Sequence, residues 1–342
     1  MAIRGDEPQS VEYGKLLSSK EFRALIGAHS EMTTTATYAE FAAREAQSES
    51  PTYERLSLAV SRDAEVLQRL DVLPPSKRQP NLLFGVVRFL GGPVEHPTEF
   101  HDYAMANWPA IEAELRMRTT QTNEAGRCAP LIPVLAALPQ PLALLEVGAS
   151  AGLCLYPDRF AYRYGNHLVG NGEPVIECTA TGMTPPDGLP EVVWRAGLDL
   201  NPLDVTDSAD VAWLDALIWP EHAHRRARLR AAVAVAAADP PLLVRGDLVD
   251  DLPALAAQAP DGATLVVFHT SVLFYVSAPR RETFVEMVRG LPGHWIANES
   301  PGMLRYENLP RPPGEALHNI LALDGTPLAW TRPHGQAITW FA

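Results

Sequence analysis

The sequence predicts a mixed α/β protein in which a doubly wound, mostly parallel sheet follows a helical N-terminal segment. Two observations carry this prediction. After Leu142, short apolar runs alternate with helical stretches, which is typical of a parallel sheet with right-handed crossovers. Before Arg127, apolar residues recur at helical spacing and no convincing strand is found. We therefore expect a helical domain or lid over residues 1–127 and a sheet domain over residues 128–342.

The helical segment contains one well-marked helix start. Ser50 directly precedes Pro51, and these residue types are favoured at the N-cap and at the first helical position. Leu56 and Val60 then continue an apolar stripe at helical spacing. The run PPSKRQP breaks the chain, and NLLFGVVRFL predicts a second, buried helix that ends at two glycines.

The sheet domain is predicted from five short apolar runs. These runs are LALLEV, EVVWRAGLDL, PLLVRGDL, ATLVVFHTSVLFYV and GHWIANES. Helical stretches over 209–237, 252–258 and 280–291 separate the later ones. HNILALDGTPLAW and GQAITWF predict a terminal antiparallel hairpin, and residues 160–190 an inserted β flap. Five β/α units with a terminal hairpin is the Rossmann-like layout of methyltransferases.

Composition and charge disfavour several classes of partner. The 342 residues carry a net charge of −13, which disfavours nucleic acid because phosphate binding depends on Lys and Arg. No apolar run is long enough to span a bilayer, so no membrane partner is expected. The three cysteines form no C-x-x-C pair, and the polar N-terminus lacks a signal core, so we expect a cytoplasmic protein. The expected partner is a small molecule, and the oligomeric state is left open.

The first motif with chemical content follows the first predicted strand. Glu146, Gly148, Ser150 and Gly152 form an acid-x-Gly-x-x-x-Gly pattern. Ligands of open α/β sheets bind at the carboxyl ends of strands, where glycines let the backbone turn and approach them. The pattern is similar to the first motif of S-adenosylmethionine-dependent methyltransferases, with Ser150 where the middle glycine usually stands. It predicts a site for that cofactor.

The same residues admit other interpretations. A dinucleotide fingerprint would need glycines at positions 150 and 153, which are Ser150 and Leu153. GASAG also satisfies G-x-S-x-G, the nucleophile elbow of serine hydrolases, and Asp247 and His334 could complete a triad with Ser150. The predicted helices upstream argue against a hydrolase, which needs several strands before the elbow. A tight turn that binds nothing is a third interpretation.

Two aspartates follow the next two predicted strands. Asp199, in GLDLNP, stands where a carboxylate could accept hydrogen bonds from both ribose hydroxyls of an adenosyl group. Asp247, in RGDL, stands where it could accept from the adenine amino group, or cap the helix that begins near Leu252. Both are therefore predicted to bind cofactor.

Catalytic candidates follow the fourth and fifth strands. His269 is the natural general base, because the pKa of histidine lies near neutrality. Tyr275, in HTSVLFY, and Glu299, after HWIAN, complete the predicted catalytic set, although Glu299 could equally be a capping carboxylate. His222 and His224 do not share a helix face, so no metal is expected.

A polar cluster precedes the first strand. Gln121, Asn123, Glu124 and Arg127 could line the cleft or gate it, because the chain entering such a sheet often lies over the ligand. We predict them as substrate-binding residues, with capping of the next helix as the alternative.

Several stretches together resemble a bacterial family known as domain of unknown function 2332. The stretches are SPTYERL, QTNEAGRCAPLIP, LLEVGASAGLCLYPDRFAYRYG, GLDLNPLDV, WP followed by RRARL, and HTSVLFY. The resemblance runs over nearly the whole chain, and that family has no settled activity. Its similarity to class I methyltransferases implies that Glu146, Gly148, Ser150, Gly152 and Asp199 line the cofactor site. Cys154 stands where such sequences more often carry Asn.

Three hypotheses follow. The first is a methyltransferase that uses S-adenosylmethionine on a small molecule whose identity the sequence does not give. The second is a serine hydrolase that uses Ser150, and the third is a non-catalytic protein that keeps the fold as a ligand-binding scaffold.

Overall fold

The computed structural model describes residues 32–47, 49–121 and 123–342, and the predictions made for residues 1–31 lie outside this part of the chain. The helices of the N-terminal segment are Thr34–Phe41 (α1, continued by π-helical Ala42–Ala46), Pro51–Val60 (α2), Ala64–Asp71 (α3), Pro80–Phe89 (α4) and Pro97–Met117 (α5). The Oγ of Ser50 accepts a hydrogen bond from the N–H of Tyr53, as expected for the N-cap of α2. No strand occurs in residues 32–47, 49–121 and 123–127, as the sequence predicts.

A nine-stranded sheet forms the centre of the rest of the molecule. Its strands lie in the order β5-β12-β11-β10-β9-β8-β1-β6-β7. The strands, with a smaller sheet of order β3-β2-β4, are Leu142–Val147 (β1), Ala161–Tyr164 (β2), His167–Val169 (β3), Val175–Glu177 (β4), Thr179–Thr181 (β5), Val192–Asp199 (β6), Leu242–Arg245 (β7), Thr264–Thr270 (β8), His294–Glu299 (β9), Asn319–Leu323 (β10), Thr326–Thr331 (β11) and Ala337–Trp340 (β12).

Five neighbouring strands, β7-β6-β1-β8-β9, are parallel, as the five apolar runs predict. Taken in chain order they stand as 3-2-1-4-5, so the winding direction reverses between β1 and β8. The crevice at such a reversal, at the carboxyl ends of the strands, is where ligands of open α/β sheets bind. The structure is therefore mixed α/β with a large, mostly parallel sheet.

The end of the chain is a three-stranded meander, so the prediction of a two-stranded hairpin is wrong in detail. HNILALDGTPLAW contains a turn of its own at Asp324 and Gly325, whose φ values are 52° and 84°. An Asp-Gly pair at positive φ is the favoured two-residue link between antiparallel strands. It separates β10 from β11, and β12 then pairs with β11.

The crossover from β1 to β6 contains no α-helix, which corrects the expectation of a helix after the glycine loop. Leu153–Leu155 form a single 3-10 turn, and Pro157 follows two residues later. A helix through this point would bring the Pro157 ring against the carbonyl group of Leu153. The predicted flap occupies the crossover instead: β2, β3 and β4 form the small sheet, and β5 joins the main sheet beside β12.

The remaining helices pack on both sides of the sheet. They are Cys128–Ala137 (α6), Ser208–Leu217 (α7), Ala223–Ala238 (α8), Leu252–Ala256 (α9) and Ala278–Arg289 (α10). The helical stretch predicted over 209–237 is thus two helices, interrupted around Pro220, where a helix loses a backbone donor.

The central strands bury both faces, and their side chains alternate between two cores. Leu144 of β1 belongs to a core that also contains Tyr38 of α1. We call the sheet face that borders this core the N-terminal face. Leu145 belongs to a second core, together with Phe284 of α10. We call the sheet face that borders this second core the C-terminal face. Because successive side chains of a strand point to opposite faces of the sheet, each polar residue near a strand end lies on one of these two faces.

None of the helices that the structure describes is long and apolar enough to cross a lipid bilayer.

Candidate active site

The loop after β1 is joined to the end of β6 through Asp199. One carboxylate oxygen of Asp199 accepts from the N–H of Ser150 at 2.8 Å, and the other from the N–H of Asn201 at 2.7 Å. Ser150 has a φ of 51°, and its buried Oγ has no hydrogen-bond partner in the described part of the chain. The structure thus brings the glycine loop and the predicted ribose-binding acid into contact.

The segment between α5 and α6 covers this loop. Asn123 donates from Nδ2 to the carbonyl of Ala149 at 3.1 Å, and its Oδ1 accepts from the N–H of Leu153 at 2.9 Å. Gln121 donates from Nε2 to the carbonyl of Asn201 at 2.8 Å, while its buried Oε1 has no partner among the described residues. Two of the predicted substrate residues, Gln121 and Asn123, therefore hold the segment between α5 and α6 over the glycine loop through hydrogen bonds. We call this segment the covering segment.

Packing accounts for the two glycines of the loop. Gly148 and Gly152 both have a φ of 71°, which favours glycine. A Cβ at Gly148 would lie 2.5 Å from a methyl carbon of Val272, and one at Gly152 would lie 3.0 Å from the ring of Pro241. Val272 follows β8, so its side chain occupies part of the crevice where the winding direction reverses.

Glu146 is a buried carboxyl group on the N-terminal face. Only 2% of the residue is exposed, and its Oε2 has no hydrogen-bond partner within the described ranges. Burial raises the pKa of Glu146 well above 4.5, with a further contribution from Cys154, while the positive charge of Arg127 opposes the rise. The raised pKa favours the neutral, protonated form of this group.

Glu124 lies in a buried ion triad. Its two carboxylate oxygens accept from the Nε atoms of Arg225 and Arg228, each at 2.7 Å. Burial alone would raise the pKa of Glu124, but the two arginines outweigh burial and lower the pKa to about 2. These ion pairs are largely shielded from solvent, because the side chains of Arg225 and Arg228 are only 13% and 16% exposed.

Arg127 is buried and lies at the carboxyl end of β8. Its Nε donates to the carbonyl of Pro333 at 3.1 Å and a terminal nitrogen to the carbonyl of Thr270 at 3.0 Å. It forms no ion pair with the residues that the structure describes. Thr270 and Pro333 thus hold a buried cation between β8 and the turn that joins β11 to β12.

His269 and Glu299 lie together on the C-terminal face, away from Glu146 and Arg127. The Nδ1 of His269 is 2.7 Å from Glu299 Oε1, and the indole N–H of Trp295 donates to Nε2 of His269 at 3.0 Å. Indole is only a donor, so Nε2 carries the lone pair and Nδ1 carries the proton. Glu299 also accepts from the N–H of Val272 at 2.8 Å. Both ring nitrogens of His269 are therefore used inside the protein.

The other two candidates are more accessible. Tyr275 is 69% exposed and lies within electrostatic range of Arg127. Asp247 accepts from the N–H of Val249 at 2.7 Å and forms an ion pair with Arg280. Asp247 is thus held by a turn and an arginine.

The proposed hydrolase triad is not connected by hydrogen bonds. Ser150 Oγ has no partner and Asp247 pairs with Arg280, while the buried Nδ1 of His334 also has none. The helix that follows a nucleophile elbow is absent as well, since only a 3-10 turn comes after Gly152.

Comparison with known protein families gives one match. The family described as "Uncharacterized protein conserved in bacteria (DUF2332)" matches residues 92–340. The chain belongs to the DUF2332 family. No curated protein matches it. In this DUF2332 protein the match begins after α4 and includes the covering segment, the glycine loop and every predicted site residue.

Sequence reasoning missed part of the polar environment in this DUF2332 protein. Thr270 was not singled out, and Arg225 and Arg228 were not connected with Glu124. The spacing of three residues between the two arginines on α8 was an available signal, because such residues share a helix face. Nothing local indicated that Glu124 lies opposite that face.

Proposed function

We propose that this protein binds S-adenosylmethionine and transfers the methyl group to a small molecule. One observation carries the proposal: a continuous hydrogen-bonded chain joins Ser150, Asp199, Asn201 and Gln121 across the ends of β1 and β6. Two buried polar atoms of this chain, Ser150 Oγ and Gln121 Oε1, have no partner among the described residues. Buried polar groups normally have partners, so a ligand rich in hydroxyl and amino groups suits this place.

The cofactor would supply an electrophilic methyl group. Asp199 would accept from the ribose hydroxyls, because each of its oxygens binds only one protein N–H and keeps acceptor capacity. Ser150 Oγ and Gln121 Oε1 would satisfy further polar groups of the ligand. Asn123 would close the covering segment over the loop, which excludes water and positions both reactants.

His269 has no part in this proposal as a base. Its one lone pair accepts from Trp295, and its proton faces Glu299. The pair instead holds the turn after β8, since Glu299 also binds the N–H groups of Val272 and Leu273. The geometry thus favours an orienting role for His269 and Glu299 and an acceptor that needs little deprotonation.

Calorimetric titration with S-adenosylhomocysteine tests the cofactor site. Asp199→Ala should weaken binding about tenfold or more, since hydrogen bonds to a charged group contribute about 1.5–3 kcal/mol. Asp204→Ala is the matched control, because Asp204 also caps a backbone N–H, that of Thr206, in the same loop but is exposed. Equal affinity in wild type and Asp199→Ala would remove the ribose assignment.

The two alternatives give different results. A serine hydrolase would be labelled at Ser150 by a fluorophosphonate probe in folded protein, and a Ser150→Ala variant would not. A non-catalytic scaffold would bind S-adenosylhomocysteine without any turnover of S-adenosylmethionine. Failure of wild-type protein to bind either cofactor form would contradict the methyltransferase proposal.

A further inference from the structure

Arg127 is a buried cation whose charge the described residues do not neutralise. It is 9% exposed and is the one lysine or arginine of the described chain that falls among the buried residues. Two carbonyl groups, those of Thr270 and Pro333, accept from it, but no carboxylate lies within ion-pair distance in the described part. A buried charge without a counter-charge is costly, so its presence points to an anion that binds there.

The turn beside Arg127 has further unsatisfied groups. The Nε of Arg332 and the Nδ1 of His334 are buried and have no hydrogen-bond partner among the residues that the structure describes. They flank Pro333, whose carbonyl binds Arg127. Arg332 Nε is a donor only, and His334 Nδ1 can be one, so this turn is rich in donors and suits an acceptor-rich ligand.

The local charge balance is positive although the protein is acidic overall. Arg127, Arg225 and Arg228 all act electrostatically on His334, and the carboxylate of Glu124 opposes them. Glu146 also faces Arg127, but burial raises its pKa and favours its neutral form. Positive charges are therefore in excess within a chain whose net charge is −13.

We propose that Arg127 anchors a carboxylate group of the methyl acceptor, so that the substrate is a small carboxylic acid bound as its anion. The assignment to the acceptor rests on the proposed function: the end of β8, where Thr270 holds Arg127, lies across the winding reversal from the glycine loop. The planar guanidinium group matches a carboxylate in shape and charge.

Acetate is the probe for the anion site, and acetamide is its neutral counterpart. At fixed pH and ionic strength, tens of millimolar acetate should raise the Tm of the wild type by about 1 °C or more, and acetamide should not. Arg127→Gln should lose the acetate shift. Arg281→Gln is the matched control, because Arg281, on α10, also donates to a carbonyl group and forms no ion pair with the described residues. It should keep the shift.

Each of the other outcomes of this experiment contradicts one part of the proposal. An equal acetate shift in wild type and Arg127→Gln, or none in wild type, removes the anion site. A shift with inorganic phosphate but not acetate removes the carboxylate assignment. If Arg127→Gln weakens S-adenosylhomocysteine but not 5′-methylthioadenosine, which lacks the carboxylate, Arg127 holds the cofactor instead. An acetate site in protein that binds neither nucleoside would refute the methyltransferase proposal while the anion site remains.

Discussion

At the residue scale, single side chains have roles that depend on which atoms they leave free. Asp199 keeps acceptor capacity, while His269 has both ring nitrogens occupied. The two residue types look equally functional in the sequence, because each follows an apolar run. They differ in free acceptor capacity because of a third residue, Trp295, whose indole N–H donates a hydrogen bond to Nε2 of His269.

His334 should make stability depend on pH. Burial, together with the positive charges of Arg225 and Arg127, lowers its pKa from an ordinary value of 6.5 to about 3. Below about pH 6.5 the unfolded chain binds a proton that the folded chain refuses, so the free energy of unfolding falls as pH falls toward 3. At pH 5 the loss is about 2 kcal/mol relative to pH 7.

Urea unfolding of wild type and His334→Asn between pH 5 and 7 measures this effect. The variant should have a flatter pH profile, whereas His224→Asn, at an exposed position on α8, should follow wild type. Glu124 does not change this pH profile between pH 5 and 7. Because its pKa is lowered from 4.5 to about 2, its contribution to the free energy of unfolding is lost only when the pH falls below about 4.5. Parallel profiles for wild type and His334→Asn would contradict the prediction.

At the element scale, turns decide how strands are connected. The Asp-Gly pair at Asp324 divides one predicted strand into β10 and β11. Pro157, after the glycine loop, coincides with the absence of the helix that most parallel crossovers contain. Both residues are visible in the sequence. The apolar run HNILALDGTPLAW obscured the Asp-Gly turn, and the alternation of strands and helices elsewhere obscured the effect of Pro157.

Asp324→Ala should destabilise the protein by about 2 kcal/mol, because alanine tolerates positive φ poorly and a hydrogen bond is lost. The carboxylate of Asp324 accepts from the N–H of Trp295 at 2.7 Å and contacts His294 at 2.7 Å, which ties the turn to β9. Asp261→Ala is the matched control, since Asp261 also precedes a glycine of positive φ but does not itself have a positive φ. It should change the free energy of unfolding by less than about 0.5 kcal/mol. Equal effects in chemical denaturation would refute the role of the turn.

At the scale of the whole molecule, the N-terminal helices and one sheet face share a core. Tyr38 and Leu56 belong to the same apolar cluster as Leu144 and Phe268. The described residues between 32 and 127 therefore contribute to the sheet's stability as well as covering one of its faces, and the family match from residue 92 includes only part of this helical layer.

Leu56→Ala should lower the free energy of unfolding by about 2–5 kcal/mol in a single transition. Amide hydrogen exchange in β1 should speed up accordingly, because the sheet and α2 share one core. Leu58→Ala, on the same helix but 36% exposed, should have a much smaller effect. Unchanged protection of β1 in Leu56→Ala would show that the helices unfold independently.

The sequence by itself determined the five parallel strands, the helical N-terminal segment and the polar residues at the strand ends. These features depend on local composition and on short periods, which a chain shows without its fold. Asp199 beside the glycine loop follows from them, because carboxyl ends of parallel strands meet at one edge of the sheet.

Only the tertiary structure decided which of these residues meet. The period of two places His269 and Glu299 on one face and Glu146 on the other, but which face the N-terminal helices cover is set by packing over long sequence separations. The same packing pairs Glu124 with Arg225 and leaves Arg127 buried without a counter-charge from the described part of the chain. Burial and pairing are properties of the assembled core, so no local pattern encodes them.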